Sequence, residues 1–287
     1  MSDTLKKDKK EAPQSLKGMH DLLGDDYYAY QGLFEKAQEI AVYYGFKPLE
    51  TPVLEREEVF VSAIGEGTDV VDKEMYTFRT KGGERIAVRP EYTASVMRSY
   101  LEHGMQNLPQ PVMLYSYGPI FRHENPQKGR LRQFRQFNLE IIGTQKSIAD
   151  ALIIRTLTTI LEEYGFKDLI VDINSMGDKE TRPTFVRELT NYYKKHVTSL
   201  CKDCHERIKT NPLRLLDCKQ PECQPFKDNA PSSLSYLSND ARNHFKEVLQ
   251  YLEEMGIQYR VNNSLVRGLD YYSRTVFEVI KVDTDEN

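Results

Sequence analysis

The segment from Gln133 to Ile142 constrains the fold more than any other part of the sequence. Its residues alternate between two chemical characters, and alternate residues of a β-strand point to opposite faces of a sheet. The first face can pack on helices, whereas the second favours either the floor of a binding site or the solvated face of an antiparallel sheet. The first face carries Arg135, Phe137, Leu139 and Ile141, and the second carries Phe134, Gln136, Asn138 and Glu140. A shorter strand at 85–89 repeats the pattern, with Arg85, Ala87 and Arg89 on its polar face.

The loop before this strand is the most basic one in the chain. It begins at Arg122 and adds the cations Lys128, Arg130 and Arg132. A guanidinium group can donate two parallel hydrogen bonds to phosphate oxygens, so the loop fits a polyphosphate. A solvated charged hairpin gives the same sequence pattern. Phe134 adds a ring that could stack on a base, and Glu124 adds a carboxylate for a metal ion or a base amino group. Together they favour a nucleotide site built without a glycine-rich loop.

Composition and missing motifs exclude several classes of protein. The 287 residues suggest about two domains, and 39 basic against 43 acidic residues exclude a globally basic nucleic-acid binder. No run approaches the roughly 18 apolar residues of a membrane span, and the first twelve residues lack the apolar segment of a signal peptide. We therefore expect a cytoplasmic protein without membrane contact and with a disordered charged tail at 1–12. Walker and Rossmann glycine patterns are absent, which disfavours P-loop ATPases and dinucleotide-dependent dehydrogenases.

Hydrophobic periodicity predicts an order of helices and strands. Helical spacing covers 27–44, with Tyr30 in its apolar stripe, and then 93–102, 147–164 and 240–254. Strands are predicted at 75–78, 85–88, 112–117, 133–142, 169–173 and within 265–282. The run 46–53 contains two prolines and fits an edge strand.

The four cysteines form one cluster in the sequence: Cys201, Cys204, Cys218 and Cys223. Their spacing is close to that of a zinc ribbon, but the second pair is wider than the usual C-x2-C. Spacing alone does not bring four thiols together, so reduced cysteines in a small module are favoured over structural zinc. Zinc as part of a nucleic-acid-binding module stays a third interpretation of the whole chain.

Three motifs together resemble the histidyl-tRNA synthetase family of class II aminoacyl-tRNA synthetases, over residues 14–282. GFKPLETPVLE at 45–55 looks like class II motif 1, and GPIFRHENPQKGRLRQFRQFNLEIIG at 118–143 looks like motif 2. RGLDYY at 267–272 resembles the signature that the family uses for histidine. This last motif is the most specific, because motif 2 indicates only the class.

The resemblance implies an α+β fold, in which a six-stranded class II antiparallel sheet is flanked by helices and carries a small inserted α/β module. It divides the chain into the tail at 1–12, a catalytic core at 13–173, an insertion module with the cysteines at 174–262 and a return strand of the core at 263–287. Motif 1 implies a homodimer. Since the family's motif 3 and anticodon-binding domain are expected to follow Asn287, we expect residues 1–287 alone to bind ATP and tRNA poorly.

The resemblance also implies roles for individual residues, with ATP, Mg²⁺ and L-histidine as ligands. Arg122 would hold the ATP α-phosphate, and Arg267 would lie next to both the α-phosphate and the histidine carboxylate. These two arginines would therefore be the catalytic residues. The other ATP-binding residues would be Glu124, Arg130 and Phe134. The histidine pocket would consist of Glu91, Thr93, Gln136, Glu140, Arg267, Tyr271 and Tyr272, and no residue is assigned to a metal site. Tyr92 stands where the family commonly has glycine, so its ring either narrows the pocket or points away.

The implied activity is that of a histidine–tRNA ligase, which activates histidine with ATP and transfers it to tRNA(His). The alternative is a non-catalytic paralogue that senses histidine, as the regulatory subunit of ATP phosphoribosyltransferase does. The intact motif 2 favours the enzyme, because a sensor has no need of arginines that hold ATP.

Overall fold

The computed structural model describes residues 12–65, 68–266 and 272–282. Residues 1–11 of the predicted tail, Arg267 and Tyr271 lie outside them. The α-helices are α1 (Asp25–Tyr43), α2 (Glu57–Ile64), α3 (Thr93–Glu102), α4 (Ser147–Glu163), α5 (Arg182–Lys194), α6 (Lys202–Thr210), α7 (Gln224–Asp228) and α8 (Asn239–Glu254). The strands are β1 (Lys47–Pro48), β2 (Leu54–Arg56), β3 (Thr77–Arg79), β4 (Arg85–Val88), β5 (Val112–Phe121), β6 (Gln133–Ile142), β7 (Leu169–Ser175), β8 (Tyr259–Val261) and β9 (Thr275–Lys281). Within these ranges, no helix is both long enough and apolar enough to cross a membrane.

The centre of the fold is an antiparallel pair of ten-residue strands, β5 and β6. Val112 lies opposite Ile142 and Phe121 opposite Gln133, so every residue of one strand has a partner in the other. β1 is only two residues long and pairs in parallel with β5, on the side away from β6. It is therefore an edge strand, as its prolines predicted. The apolar face of β6 packs as predicted, because Phe137, Leu139 and Ile141 lie against Tyr115, Phe46 and helix α1.

A second small sheet has the order β2-β4-β3, and here the predicted polar face is wrong. Ala87 is fully buried among Phe60 and other apolar side chains of the core around α2. Arg85 is exposed and pairs with Glu57. Arg89 is buried, and its guanidinium donates to the Pro119 carbonyl at 2.9 Å and to the Thr51 carbonyl at 2.8 Å. The predicted face is mixed because Ala87 and Arg89 are buried in the protein, while Arg85, at the start of the strand, is exposed.

The third sheet joins distant parts of the chain. β7 pairs with β9 in antiparallel over seven residues and with β8 in parallel. Helix α8 covers this sheet and α4 with Val248 and Leu252, which lie against Ile154 and Val171. The fold is therefore α+β as predicted, but the described strands form three three-stranded sheets instead of one six-stranded sheet. The boundaries of the inserted module stay a prediction; α8 and β8, which fall inside it, pack on α4 and β7.

Helices α5 to α7 and the short 3-10 segments between them form a region that we call the cysteine module. It packs around one apolar core that includes Phe185, Leu189, Tyr193 and Leu215. The described residues of this region contribute no strand, and most of its elements are short. All four cysteines belong to this core or pack against it.

Candidate active site

A pocket of about 1060 Å³ opens over the polar face of β6. Its walls come from distant parts of the chain: the segment before α1, the start of α1 and α3, the loop 122–133, the turn 69–74 and the cysteine module. The lining residues are His20, Asp21, Leu22, Tyr27, Tyr30, Asp69, Val70, Glu74, Glu91, Thr93, Arg122, Glu124, Gly129, Arg130, Leu131, Gln133, Phe134, Arg135, Gln136, Asn138, Arg214 and Tyr272.

The floor of the pocket is the polar row that the sequence places on β6. Phe134, Gln136 and Asn138 line the pocket, because strand alternation turns all three to the same side. Within the described residues, Gln136 Oε1 is buried and has no hydrogen-bond partner. A buried acceptor without a partner is costly, so this oxygen is a natural contact for a ligand that carries an N–H group.

Glu140, the last member of the row, lies behind the pocket and not in its lining. Its Oε1 accepts hydrogen bonds from Thr93 Oγ1 at 2.6 Å and from Asn138 Nδ2 at 3.1 Å. Burial raises the pKa of Glu140 above its ordinary value. Glu140 therefore orients two side chains that do line the pocket, Thr93 and Asn138.

Glu91 joins the pocket to the first turn of α3. Its carboxylate accepts the backbone N–H groups of Thr93 at 2.6 Å and Ala94 at 2.8 Å, which would otherwise lack partners at a helix start. Glu91 is 3% exposed, and burial raises its pKa. The sequence therefore uses one carboxylate both to begin a helix and to give the pocket a fixed acidic wall.

The opposite part of the pocket is cationic. The Arg122 guanidinium lies 5.5 Å from the centre of the Phe134 ring, and its Nε donates to the Pro90 carbonyl at 2.9 Å. Among the described residues Arg122 forms no salt bridge. A guanidinium held by its Nε beside a ring keeps its terminal N–H groups for an anion, and the ring offers a face on which a base can stack.

The predicted basic loop folds back over this end. Gln127 and Arg130 exchange two backbone hydrogen bonds around a tight turn, in which Gly129 adopts φ = +79°. Arg130 is exposed and lies 3.4 Å from the Glu124 carboxylate, so this contact is weak. Arg130 is therefore available to move onto a ligand at little cost.

A second carboxylate lies near Glu124. Glu74 lines the same pocket, and its backbone carbonyl accepts the N–H of His123 at 2.6 Å. Burial and, to a smaller extent, the charge of Glu124 raise the pKa of Glu74. Two carboxylates that repel each other beside Arg122 and Arg130 give this end of the pocket both cation-binding and anion-binding groups.

The structure adds pocket residues that the sequence analysis missed. The segment 18–22 lies against the basic loop, where Arg132 N–H donates to the Gly18 carbonyl at 2.7 Å. Tyr30, which was assigned to the apolar stripe of α1, is largely exposed and lines the pocket. Asp69 and Arg214 form a salt bridge between the turn 69–74 and the cysteine module. The sequence signal near this segment is Gly18, because glycine is the residue that adopts a positive φ and permits a close backbone approach without strain.

The structure places Tyr92 and Tyr272, two tyrosines of the predicted histidine pocket region, differently. Tyr92 is fully buried with Val96, Leu114 and Ile120 and is not in the pocket lining, so its ring points away from the pocket. Burial raises the pKa of Tyr92 to about 12. Tyr272 does line the pocket, and its carbonyl accepts a hydrogen bond from Arg182 at 2.8 Å. Arg267 and Tyr271 lie outside the described residues.

Comparisons with known proteins agree on one family. The family model for histidyl-tRNA synthetase matches residues 18–286. The histidine–tRNA ligase of Thermodesulfovibrio yellowstonii is 45% identical over 92% of this chain and 63% of its own length, and that of Desulforamulus reducens is 42% identical over 93% and 64%. The chain thus spans a little under two thirds of the curated relatives that it matches.

Solved structures give the same answer for the fold. Apo histidyl-tRNA synthetase from S. aureus superposes with a TM-score of 0.72 at 33% identity, over 93% of this chain and 61% of that one. An ATP phosphoribosyltransferase regulatory subunit/histidyl-tRNA synthetase from Bacillus halodurans superposes with a TM-score of 0.66 at 20% identity, over 95% of this chain and 73% of that one, which supports the fold alone. The α+β architecture is that of a class II aminoacyl-tRNA synthetase core. The chain belongs to the histidyl-tRNA synthetase family.

Proposed function

We propose that this chain is the catalytic region of a histidine–tRNA ligase, which activates histidine with ATP and transfers it to tRNA(His). One observation carries the proposal: the same pocket is lined by Arg122, which lies beside the Phe134 ring and forms no salt bridge among the described residues, and by Glu91, Gln136 and Asn138. We take the first pair as the nucleotide end of the pocket and the second group as its amino-acid end. The first end suits a nucleotide, and the second suits a small polar amino acid. Both ends share the β6 strand, which keeps the two ligands in one orientation.

At the nucleotide end, Phe134 would stack on adenine while Arg122 binds the α-phosphate. Arg130 and Glu124 would exchange their weak contact for contacts with the nucleotide. The chain's carboxylates also fit Mg²⁺, since the pKa of Glu74 is raised partly by Glu124 and a cation would relieve that repulsion. Glu74 and Glu124 would hold the Mg²⁺, which when bound neutralises phosphate charge.

At the amino-acid end, a neutral imidazole needs one acceptor and one donor. Gln136 Oε1 is an acceptor that has no hydrogen-bond partner among the described residues, and Thr93 and Tyr272 also line the pocket. Glu91 would supply negative charge for the α-ammonium group of histidine. Glu140 would orient Thr93 and Asn138 through its hydrogen bonds to both side chains. By resemblance, Tyr271 would complete this pocket.

The reaction joins the two ends. A carboxylate oxygen of histidine attacks the α-phosphorus of ATP, the bond to the β-phosphate oxygen breaks, and pyrophosphate leaves. Negative charge develops on the α-phosphate oxygens, and Arg122 offsets it with a cation that is already in position. By resemblance, Arg267 would act on the same oxygens and on the histidine carboxylate.

The remaining parts of the proposal concern partners. We infer that the adenylate is then attacked by the 3′ end of tRNA(His) over the basic loop, which is exposed at the pocket mouth. We also propose a homodimer through residues 45–55 and a cytoplasmic location, where translation takes place. The motif 1 segment exposes Val53 and Leu54, as a surface that another chain covers would.

The test is ATP–pyrophosphate exchange by the purified chain in the presence of magnesium, with histidine and each other amino acid in turn. Exchange that depends on histidine alone supports the proposal. Calorimetric binding of histidine without exchange leaves two explanations, the histidine-sensing paralogue and a catalytic region that needs the family's motif 3 to bind ATP. Exchange restored by adding a chain that supplies motif 3 decides for the enzyme, and failure to restore it favours the paralogue. Exchange with several amino acids would contradict the specificity that we assign to Gln136 and Thr93.

A further inference from the structure

The cysteine module brings together all four cysteines of the chain. Cys201 precedes the first turn of α6, Cys204 lies in that turn, and Cys218 and Cys223 follow in the next two short segments. The four Sγ atoms lie within 4.8 Å of one another. The closest pairs are Cys201 with Cys218 at 3.8 Å and Cys204 with Cys223 at 3.9 Å. The spacing of the cysteines favoured reduced thiols over structural zinc, but the fold brings the four sulfurs together.

The convergence of all four sulfurs within 4.8 Å of one another fits one metal ion, and the distances exclude disulfides. Four sulfurs at about 2.3 Å from one Zn²⁺ in a tetrahedron lie about 3.8 Å from one another. A disulfide needs about 2.0 Å, and the four cysteines are free. The sulfurs are also too close together to enclose a cluster of several iron atoms.

The surroundings of the thiols match those of a closed structural site. Cys204, Cys218 and Cys223 are at most 2% exposed, and only Cys201 reaches solvent. The backbone N–H of Cys201 donates to Cys223 Sγ at 3.3 Å, which is the kind of supporting hydrogen bond that stabilises a thiolate ligand. With four protein ligands and no open position, such a site would stabilise the fold and take no part in catalysis.

We propose that Cys201, Cys204, Cys218 and Cys223 bind one structural Zn²⁺ in tetrahedral geometry. Binding forms four Zn–S bonds and breaks four S–H bonds, and the four protons pass to solvent. Thiolates select zinc over the magnesium that ATP requires, because soft sulfur ligands disfavour hard cations. The ion ties α6 to the segment 212–223, which contains Arg214, and so fixes the part of the module that reaches the active-site pocket.

The experiment measures zinc in the full chain, purified without a metal-binding tag under reducing conditions from zinc-supplemented medium. We expect about one zinc ion per chain by plasma mass spectrometry. After dialysis against a competing chelator, Cys218→Ser should retain much less zinc than the wild type, since losing even a supporting contact lowers metal affinity about 10–100-fold. His205→Gln is the matched control. His205 lies next to Cys204 but contacts the Val197 carbonyl at 2.7 Å, so this variant should keep its zinc.

A second measurement covers the case in which C218S does not fold. Cobalt(II) added to the metal-depleted wild-type chain should give the visible bands and near-ultraviolet charge-transfer band of a tetrahedral tetrathiolate site. A chelator should lower the unfolding temperature, and zinc but not magnesium should restore it. A metal-free wild-type chain without a cobalt band, two disulfides in the freshly purified chain, full zinc in C218S, or loss of zinc in H205Q would each overturn the proposal.

Discussion

The active-site pocket and the cysteine module are built in different ways. The pocket floor belongs to a strand whose ten residues are all paired with β5, so the backbone fixes where each side chain points. The cysteine module has no strand among its described residues and holds its short helices together by side chains around one core. Exchange of one polar side chain in the pocket should therefore change ligand binding more than folding. In the module, exchange of one core side chain should change folding first.

The largest effect that tests this comparison is expected at Arg122. Arg122→Ala should lower the rate of histidine-dependent ATP–pyrophosphate exchange by roughly 10²–10³-fold, as removal of one preorganised group in other active sites does. Thermal unfolding should change little, because the β5–β6 pairing remains. Arg85→Ala is the control, since Arg85 is an exposed arginine outside the pocket. Loss of folding in R122A, or equal losses of exchange in both variants, would contradict a pocket fixed by its backbone.

The sequence predicted the pocket floor better than the pocket walls, for a physical reason. Strand alternation is local, so Phe134, Gln136 and Asn138 could be assigned to one face before the structure was known. Alternation failed for Arg85, Ala87 and Arg89, because Ala87 packs in the core around α2 and Arg89 is held by the distant Thr51 and Pro119 carbonyls, contacts that a local pattern does not reveal. Arg214 and Asp69 lie 145 residues apart, and no local pattern connects them. Convergence of the four thiols is likewise a property of the fold and not of their spacing.

A smaller effect is expected at Gly18, where two chain segments approach closely. Gly18 has φ = +80°, and an added Cβ would lie 2.9 Å from Pro126 Cγ and 3.0 Å from Arg132 Cγ. Gly18→Ala should therefore push the basic loop away, weaken ATP binding severalfold and lower the free energy of unfolding. Gly24→Ala is a matched control, because Gly24 also has a positive φ of +55° but meets nothing within 4 Å.

The difference between these two variants isolates the contact. Both variants should lose stability because alanine disfavours a positive φ, and only G18A should also lose ATP affinity. Unfolding by denaturant and ATP titration measure the two quantities separately. Equal ATP affinity in the two variants would show that the segment 18–22 does not shape the pocket.

The two buried carboxylates at the amino-acid end should respond in opposite directions to the same substitution. Glu91 uses both carboxylate oxygens to accept backbone N–H groups. In Glu91→Gln one oxygen becomes an NH₂ group, which cannot accept, so the variant should lose about 1 kcal/mol of stability. Both hydrogen bonds to Glu140 end on Oε1, which glutamine keeps. Glu140→Gln should therefore raise the free energy of unfolding at neutral pH.

The pH dependence gives the sign of the Glu140 effect. Because burial raises its pKa in the folded protein above the ordinary value of 4.5, the unfolded chain loses this proton first as the pH rises. The contribution of Glu140 to stability is then present at low pH and is lost as the pH rises through the folded pKa. The stability gain of E140Q over the wild type should thus grow with pH, as denaturant unfolding between pH 4 and pH 8 would measure. A gain that shrinks with pH would show that Glu140 is stabilised as a carboxylate.

The smallest expected effect tests whether the two regions are independent at all. The Asp69–Arg214 salt bridge connects the pocket wall to the cysteine module, and both side chains are partly exposed, at 34% and 24%. A double-mutant cycle with Asp69→Asn and Arg214→Ala should give a coupling energy of about 0.5–1 kcal/mol. Lys73→Ala is the control, because Lys73 also pairs with Asp69 but is 74% exposed and belongs to the same turn. If D69N and R214A raise the KM for ATP and K73A does not, the cysteine module helps to form the pocket through this salt bridge. A coupling energy near zero would show that the two regions are independent.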